Sequence, residues 1–272
     1  MAVFKNGIFI NYNGQIITAT SNFTAAIACN NFFQSASITD QQQRFAVYNL
    51  VSDLQSYNIW DKMKAIYPFV GQPGVSSSFQ FNLKDPTTFK GIFTTTGWTF
   101  ASTGVKGNGT SAYMDTGYNP SVESLPLNSA SISIYARNNI VSKVAFGCNT
   151  AGVGSLYVVA NSTYGLYSAV NSTEATITPN WSDGLGLFLN SRVNSTEHNL
   201  YQNTTKKTRT TNSVGVPNLN MYLGCYNNTG TAQQFSDIEY AFAHIGTGLT
   251  DTEAANFYTA VQRFQTTLGR QV

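Results

Sequence analysis

The fold is decided by the stretch Asp237-Ile-Glu-Tyr-Ala-Phe-Ala-His244, in which Ile238, Tyr240, Phe242 and His244 alternate with small or acidic residues. Successive side chains point to opposite faces of a β-strand, so this alternation predicts a strand with one buried face. Similar short runs between turn residues predict further strands at 131–136, 143–146, 156–160, 165–170, 175–178, 186–189, 198–202 and 221–225. Because no helical pattern separates them, the sequence predicts an antiparallel β-sandwich.

A helix with both ends specified follows these strands. Thr250 and Glu253 have the spacing of a capping box, in which each side chain accepts a hydrogen bond from the other residue's amide. Gly269 supplies a residue that tolerates the left-handed conformation at a helix end. Apolar residues recur between them at helical spacing: Ala254, Phe257, Val261, Phe264 and Leu268. We therefore expect a C-terminal helix packed on the sandwich by one face.

The first part of the chain predicts a small arm of β-hairpins. Asn6-Gly7 and Asn13-Gly14 are dipeptides that accept positive φ at low cost, and short apolar runs flank them. They predict a three-stranded attachment arm within residues 1–36. These pairs interrupt every apolar run before it reaches the length of a signal-peptide core, so we expect synthesis in the cytoplasm without an export signal. Apolar runs are also too short for a spanning helix, so we expect no membrane insertion.

Residues 37–77 predict a helical hairpin and a loop. Thr39 and Gln42 repeat the capping-box spacing at the start of a first helix that runs to about residue 56. A second, shorter helix is expected from residue 58 through Trp60, Met63 and Ile66, ending before Pro68. The sandwich is then expected to occupy 78–272, with its first strand at 78–83.

Three blocks of the chain resemble a group of tailed-phage and prophage structural proteins. The blocks are residues 53–86, which contain Asn82-Leu-Lys-Asp-Pro86, residues 97–116, which contain Asn108-Gly-Thr-Ser-Ala-Tyr-Met-Asp115, and residues 245–272. The resemblance covers roughly residues 39–272. It implies a concanavalin A-like, laminin G-type jelly roll in a virion component such as a capsid decoration, head-fibre or tail-fibre subunit. Other virion proteins are then the expected partners, and the resemblance implies no reaction.

The composition describes a neutral, amide-rich surface. Charged residues make up 10% of the 272 residues, the formal net charge is +2, and Asn outnumbers Lys and Arg together. Such a balance creates no long-range field for phosphates, so nucleic acid is not expected as a partner. The one basic cluster, Lys206-Lys207-Thr-Arg209, is interpreted as a solvated hairpin tip.

No cofactor or metal motif is visible in the sequence. A glycine-rich phosphate loop and an Asp-x-Asp-x-Asp-Gly calcium loop are both missing. A structural calcium ion held by a lone carboxylate such as Asp115 and by loop carbonyls is left open as an alternative. Cys29, Cys148 and Cys225 are odd in number and have no Cys-x-x-Cys spacing, so they are interpreted as core residues, with a Cys148–Cys225 bond left open.

The titratable residues give little support to catalysis. His198 has no Ser or Cys motif near it in sequence, and His244 is expected to be a hydrogen-bonded core histidine on the inward face of a strand. Asp237 and Glu239 have the spacing of two carboxyl groups on one strand face, as a glycosidase needs. Glycosidases on concanavalin-like sandwiches usually place a third acid two positions away, where this chain has Phe235 and Ala241. We therefore interpret the pair as solvated or bound to a cation, predict no enzyme, and keep glycoside hydrolysis as a remote alternative.

A host-surface glycan adhesin is the main alternative function. Trp181, Tyr201 and Tyr226 lie beside Asn-rich loops, and exposed aromatic rings can stack on sugar faces. The alternative interpretation, which we favour, is that these three residues pack within the sheet. A homotrimer intertwined through the N-terminal arm is a further hypothesis, because short hairpins with open edges are marginal alone.

Overall fold

The computed structural model describes residues 3–5, 8–10, 16–17, 20–139, 144–159, 166–173, 175–177, 181 and 183–272. The arm contains strands β1 (Val3–Lys5), β2 (Ile8–Ile10) and β3 (Ile16–Ile17), which pair as successive antiparallel hairpins. The three-stranded arm predicted from the two Asn-Gly pairs is therefore confirmed.

The rest of the described chain forms three α-helices, two short 3₁₀ helices (Trp60–Lys62 and Ser76–Phe79) and seventeen strands. The α-helices are α1 (Thr20–Ser35), α2 (Gln41–Ser56) and α3 (Asp251–Thr267). The strands are β4 (Met63–Tyr67), β5 (Ile92–Phe93), β6 (Trp98–Ala101), β7 (Gly104–Gly107), β8 (Met114–Asp115), β9 (Ala130–Ala136), β10 (Val144–Thr150), β11 (Gly154–Val159), β12 (Leu166–Ser172), β13 (Ala175–Ile177), β14 (Gly186–Arg192), β15 (Glu197–Gln202), β16 (Thr205–Thr210), β17 (Tyr222–Leu223), β18 (Tyr226–Asn228), β19 (Thr231–Gln233) and β20 (Glu239–Gly246).

Two sheets pack face to face as a sandwich of the jelly-roll type. The first, called the helix-backed sheet, has the order β16-β15-β14-β9-β20-β7-β6, and β4 pairs with the other end of β20. The second, called the helix-free sheet, has the order β13-β12-β11-β10-β17-β8-β5, and the β18–β19 hairpin also joins β10. Every described strand pair is antiparallel except β10 with β18. The chain turns at Gly224 (φ +87°), which lies between β17, antiparallel to β10, and β18, parallel to β10. The predicted, mainly β fold class is confirmed.

The central strands of the helix-backed sheet, β14, β9 and β20, are buried on both faces. Their inner face contributes Ile132, Ile134 and Tyr240 to the core between the sheets. Their outer face contributes Tyr135 and Phe242 to a second core, shared with the three α-helices. The prediction of one buried face on these strands was therefore wrong, because the helices cover the face that the sequence pattern leaves open.

The alternation in β20 is also broken by a β-bulge. Tyr240 pairs with Ala136 but Phe242 pairs with Tyr135, so Ala241 is an extra residue on β20. The bulge places Tyr240 in the core between the sheets and Phe242 in the helix core. The predicted common face for these two residues was wrong for this reason.

The segment before the sandwich differs from the predicted helical hairpin. Helix α1 lies within the residues assigned to the arm, and it packs on α2 with the Arg44 guanidinium 4.8 Å from the centre of the Phe33 ring. Helix α2 begins one residue later than predicted, because Asp40 is its N-cap and accepts a hydrogen bond from the Gln43 amide (2.8 Å).

The predicted second helix is instead a 3₁₀ turn followed by β4. Trp60, Met63 and Ile66 share a helical spacing, but Ile66 pairs with His244 and Ala65 with Ile245 on the edge of β20. A strand buried on both faces has no polar alternation, so local periodicity could not separate it from a buried helix. The strand predicted at 78–83 was also wrong, since a 3₁₀ helix and irregular chain occupy it.

Helix α3 agrees with its prediction at both ends. Thr250 is the N-cap, and the reciprocal capping box with Glu253 is formed. Gly269 has a φ of +65°, the left-handed conformation expected after the helix. Ala254, Phe257, Val261 and Phe264 are buried against the sandwich. The helix therefore covers the helix-backed sheet with the apolar stripe read from the sequence.

Candidate functional site

The two sheets differ in what covers them, and this difference locates the candidate site. The core shared with the α-helices contains residues of the helix-backed sheet and none of the helix-free sheet in the described part of the chain. Four residues lie side by side in one row across the neighbouring strands β5, β8, β17 and β10. They are Ile92, Asp115, Tyr222 and Gly147. Their strand neighbours Phe93, Met114, Leu223 and Phe146 lie in the core between the sheets, so this row faces outward.

A pair of tyrosines dominates this outward row. The rings of Tyr113 and Tyr222 stack with centroids 4.6 Å apart and an interplanar angle of 27°. Phe235 lies beside them, 6.4 Å from Tyr113, and Trp98 Nε1 donates a hydrogen bond to the Tyr113 carbonyl (3.3 Å). All four rings are half-buried. The result is an aromatic surface held by neighbouring strands, with part of each ring accessible.

Asp115 and Asn220 place polar groups next to the tyrosines. Asn220 Nδ2 donates to both carboxylate oxygens of Asp115 (3.1 and 3.2 Å), and the Gly117 amide donates to Oδ1 (2.8 Å). None of the five ion pairs of the described residues involves Asp115. Burial, together with the nearby Asp115 and Tyr113, raises the pKa of Tyr222 to about 12, so its hydroxyl stays neutral. We call Tyr113, Asp115, Asn220 and Tyr222 the tyrosine surface.

The aromatic residues named from the sequence as glycan contacts lie elsewhere and are buried. Trp181 and Tyr201 are each 7% exposed and Tyr226 is 3% exposed. Lys207 Nζ sits 4.2 Å from the centre of the Trp181 ring, and the Tyr201 hydroxyl donates to Asp251 (2.7 Å). The reading of these three residues as sheet packing is therefore confirmed, and their assignment as exposed sugar platforms was wrong.

The basic cluster is a strand and not a hairpin tip. Lys206, Lys207 and Arg209 lie on β16, which pairs with β15 along its whole length. Lys206 binds both carboxylate oxygens of Asp251 (2.9 and 2.7 Å), and Arg209 donates to the Ser168 carbonyl. Lys206 is exposed and Arg209 is buried, and both bind groups of this chain. The strand was missed because polar residues occupy both faces of this edge strand, so no apolar alternation marks it.

His198 lies in a polar layer between the two sheets. Its Nε2 is 2.7 Å from Ser168 Oγ and its Nδ1 is 3.4 Å from an Arg192 guanidinium nitrogen. Ser168 lies thirty residues away in the chain, so local patterns of residues could not indicate this contact. Burial and the nearby arginines lower the pKa of His198 to about 3. In a Ser-His-Asp triad a carboxylate orients the histidine, whereas a cation and a hydroxyl hold this neutral, buried ring.

His244 is the hydrogen-bonded core histidine that the sequence predicts, but it lies on the outer face of β20, which the helices cover, and the predicted inward face was wrong. Its Nε2 is 3.0 Å from Ser131 Oγ and its Nδ1 is 2.5 Å from Ser133 Oγ, both on β9. The ring is fully buried, 4.6 Å from the Phe257 ring of α3, and burial lowers its pKa to about 3. It holds the helix-backed sheet together and has no route to a substrate.

In the acidic pair considered for glycoside hydrolysis, Glu239 is held in an ion pair. Glu239 begins β20 and binds Arg137, which follows β9, with Nη1 to Oε1 at 3.0 Å. Asp237 precedes the strand. The interpretation that a cation on a neighbouring strand engages this pair is thus confirmed for Glu239.

A cluster of metal ligands and a membrane-spanning helix are both absent from the described residues. No group of three His, Cys, Asp or Glu side chains comes together there as a metal site requires. At Asp115, Asn220 presents its amide nitrogen, a donor that does not suit a cation. Helices of the described chain are too short or too polar to cross a bilayer. Cys29, Cys148 and Cys225 are free and buried, so the Cys148–Cys225 bond left open by the sequence is not formed.

Solved structures of carbohydrate-active proteins share a loosely similar sandwich. Domain 4 of the extracellular GH43 arabinanase AbnA from Geobacillus stearothermophilus, in complex with arabinotriose, matches with a TM-score of 0.47 and 15% identity over 72% of this chain and 98% of that domain. A mutant Trypanosoma rangeli sialidase displaying trans-sialidase activity matches with a TM-score of 0.48 and 8% identity over 80% of this chain. The NanB sialidase from Streptococcus pneumoniae matches with a TM-score of 0.35 and 13% identity over 51% of this chain.

This chain spans 39% of the Trypanosoma rangeli sialidase and 25% of NanB. No protein-family model and no curated protein matches the sequence. With TM-scores this low, these similarities say nothing about the function of the chain.

Proposed function

We propose that this chain is a structural component of a bacteriophage virion, a capsid decoration, head-fibre or tail-fibre subunit, that presents its sandwich outward. The observation that carries the proposal is the difference between the two sheet faces. Helices α1, α2 and α3 cover the helix-backed sheet, whereas the helix-free sheet exposes the tyrosine surface. The virion assignment draws on the resemblance of residues 53–86, 97–116 and 245–272 to phage structural proteins.

The proposal places the arm and α1 on the particle and the tyrosine surface away from it. Imaging of purified particles tests this arrangement, because density for the sandwich at a repeated position is expected. Particles that lack the chain, or a chain whose helix-free sheet is buried against other virion proteins, would contradict it. In this proposal the protein resides in the virion after synthesis in the bacterial cytoplasm.

Binding of a host-surface glycan is the second candidate function, and the tyrosine surface favours it. Aromatic rings offer apolar faces to the C–H groups of a sugar ring. The Asp115 carboxylate and the Tyr222 hydroxyl accept or donate hydrogen bonds in the same row of the sheet, as hydroxyl-rich ligands require. The four residues of the tyrosine surface are only half-buried, so a weak affinity that many copies reinforce is expected.

The charge at this surface favours neutral sugars. Asp115 is an acid without an ion-pair partner among the described residues, and the groups that act on Tyr222 are Asp115, Tyr113 and Cys225, none of them a cation. A sialic or uronic acid carboxylate placed here would be repelled. We therefore propose neutral oligosaccharides as the ligand class.

A glycan array with the full chain tests this second function. Binding of neutral oligosaccharides is expected, with loss of signal in Tyr222→Ala and retention in the control Tyr167→Ala, a half-buried tyrosine elsewhere on the same sheet. Asp115→Asn is expected to admit acidic sugars by removing the repulsion. Silence of the wild-type chain on the array would reject glycan binding and leave the virion role standing.

No catalytic step is part of the proposal. Glu239 is neutralised by Arg137, and the two histidines are buried and neutral at physiological pH. Incubation of the protein with host polysaccharide is expected to release no reducing ends. Cleavage that disappears in the Asp237→Asn, Glu239→Gln double variant would replace this proposal with glycoside hydrolysis.

A further inference from the structure

The most exposed large apolar side chain of the described chain lies in the same row of the sheet as the tyrosine surface. Ile92 of β5 is 69% exposed, and it lies directly opposite Asp115 of β8. Its neighbour Phe93 is buried in the core between the sheets, so β5 points Ile92 outward. Single exposed apolar residues are common on proteins, but this one adjoins a carboxylate and a tyrosine pair whose positions strand pairing fixes.

Strand pairing places Ile92 within reach of a ligand that also touches Tyr222. Neighbouring strands lie about 5 Å apart, so Ile92 and Tyr222 are about 10 Å apart on either side of Asp115. This separation is close to the length of one hexose with its substituents. A sugar that stacks on the Tyr222 ring and bonds the Asp115 carboxylate therefore extends a substituent over Ile92.

The Asp115 carboxylate has little hydrogen-bonding capacity left for a ligand. An ionised carboxylate offers about four acceptor positions. Asn220 Nδ2 donates to both of its oxygens, and the Gly117 amide donates to Oδ1. These bonds leave about one acceptor position, which suits one sugar hydroxyl. A second hydroxyl placed over Ile92 would find no acceptor on Asp115.

Ile92 distinguishes ligands by the polarity of the substituent that covers it. Its side chain has no hydrogen-bonding group, and the nearby cation Lys90 is engaged elsewhere, with its Nζ 4.6 Å from the centre of the Phe81 ring. A hydroxymethyl group placed over Ile92 would lose hydrogen bonds to water without replacement. A methyl group in the same place would instead bury apolar surface on both partners. The position therefore favours a methyl substituent.

We infer that the ligand of the tyrosine surface is a neutral sugar with a methyl group, and that Ile92 binds this methyl group. The inference rests on the second candidate function, glycan binding at the tyrosine surface. Neutral sugars carry such a group in two ways, because a deoxyhexose has a methyl in place of the hydroxymethyl and an N-acetylhexosamine has one on its acetamido substituent. Burial of one methyl group corresponds to a Kd about fourfold lower.

Ligand-detected NMR titrations of the full chain, which measure weak affinities, test this preference with matched pairs of free sugars. The pairs are galactose with fucose and mannose with rhamnose, each in both enantiomeric series, and glucose and galactose with their N-acetylated hexosamines. The methyl-bearing member of at least one pair is expected to bind about fourfold more tightly. The pair that responds separates a deoxyhexose from an N-acetylhexosamine. Ile92→Ser is expected to lose the preference, whereas Val122→Ser, at a 68% exposed position before β9, is expected to keep it.

Isotopic labelling of the isoleucine methyl groups locates the contact. On addition of the preferred sugar, the Ile92 methyl signal, identified by its absence in Ile92→Ser, is expected to shift. The signal of Ile27, which is 46% exposed on α1, is expected to stay in place. Equal affinity within every pair, or a preference that Ile92→Ser retains, would overturn the inference and leave glycan binding standing. Failure of every sugar to bind, in the titrations and on the array, would overturn both.

Discussion

The two sheets of this sandwich are built from similar strands but do different work. The central strands β14, β9 and β20 of the helix-backed sheet are buried on both faces, and this sheet holds a neutral histidine and a buried arginine in contacts between distant segments. The helix-free sheet turns a row with two tyrosines, a carboxylate and an amide toward solvent. This contrast is confined to the part of the helix-free sheet formed by β5, β8 and β17, because a third apolar cluster buries the outward face of β10, β11 and β12.

The largest expected effect concerns Arg270, which lies beyond the end of α3. Its guanidinium donates to the carbonyls of Phe69 (2.9 Å), Pro68 (2.7 Å) and Ala241 (2.7 Å), and its Nε donates to Gln265 Oε1 (2.6 Å). Burial lowers its pKa to about 9. Arg270→Ala is expected to reduce the free energy of unfolding by about 3–5 kcal/mol, because it leaves several buried acceptors unpaired.

Urea denaturation measures this loss, and Arg263→Ala is its matched control. Arg263 is 53% exposed and pairs with Asp53 on the surface. Its removal is expected to cost less than about 1 kcal/mol. Equal losses in the two variants would show that Arg270 does not join α3, β20 and the segment after β4 in the way described.

A second test probes the helix core on the outer face of the helix-backed sheet. Phe257 is fully buried and packs on Phe242 (5.9 Å between ring centroids) and on His244 (4.6 Å). Phe257→Ala is expected to cost about 3–4 kcal/mol through the cavity it leaves. Tyr258→Ala, at the next and half-buried position, should cost clearly less. The order of the two urea midpoints checks the result, and a reversed order would contradict the assignment of this face.

The third prediction is a loss of stability in mild acid. His198 and His244 have folded-state pKa values of about 3, below the ordinary value of 6.5. The unfolded chain therefore binds their protons first, so stability is complete above pH 6.5 and falls as the pH drops toward 3. Each histidine is expected to cost about 2 kcal/mol by pH 5.

Denaturation between pH 7 and pH 5 isolates this effect. Asp251 and Glu253 also have lowered pKa values, but their contribution is lost only as the pH falls below about their ordinary values of 3.8 and 4.5. His244→Gln should halve the dependence of the unfolding free energy on pH in this window. A dependence that the substitution leaves unchanged would mean that His244 is protonated in the folded protein.

The smallest expected effect on stability is at the tyrosine surface. Tyr222→Ala removes a half-buried ring that stacks on Tyr113, which is worth about 1 kcal/mol. The thermal midpoint should therefore fall only slightly, while glycan binding is lost. A large destabilisation would instead place Tyr222 among the residues that hold the fold together, and it would weaken the contrast between the sheets.

The sequence by itself determined the elements whose signals are local. The caps of α3 at Thr250, Glu253 and Gly269, its apolar stripe and most strands follow from spacing within a few residues, because capping and side-chain periodicity act over one or two turns. Strand alternation predicted the burial of His244, whereas the burial of the three cysteines was inferred from their odd number and the absence of a Cys-x-x-Cys spacing.

Only the tertiary structure decided which faces are covered and where the site lies. Asp115 and Tyr222 are over a hundred residues apart and meet because β8 pairs with β17, while Trp181 and Tyr201 are hidden by contacts from other segments. The bulge at Ala241 and the strand β4 likewise depend on register with distant strands. Register is set by long-range packing, and a local pattern of side chains carries no record of its partner.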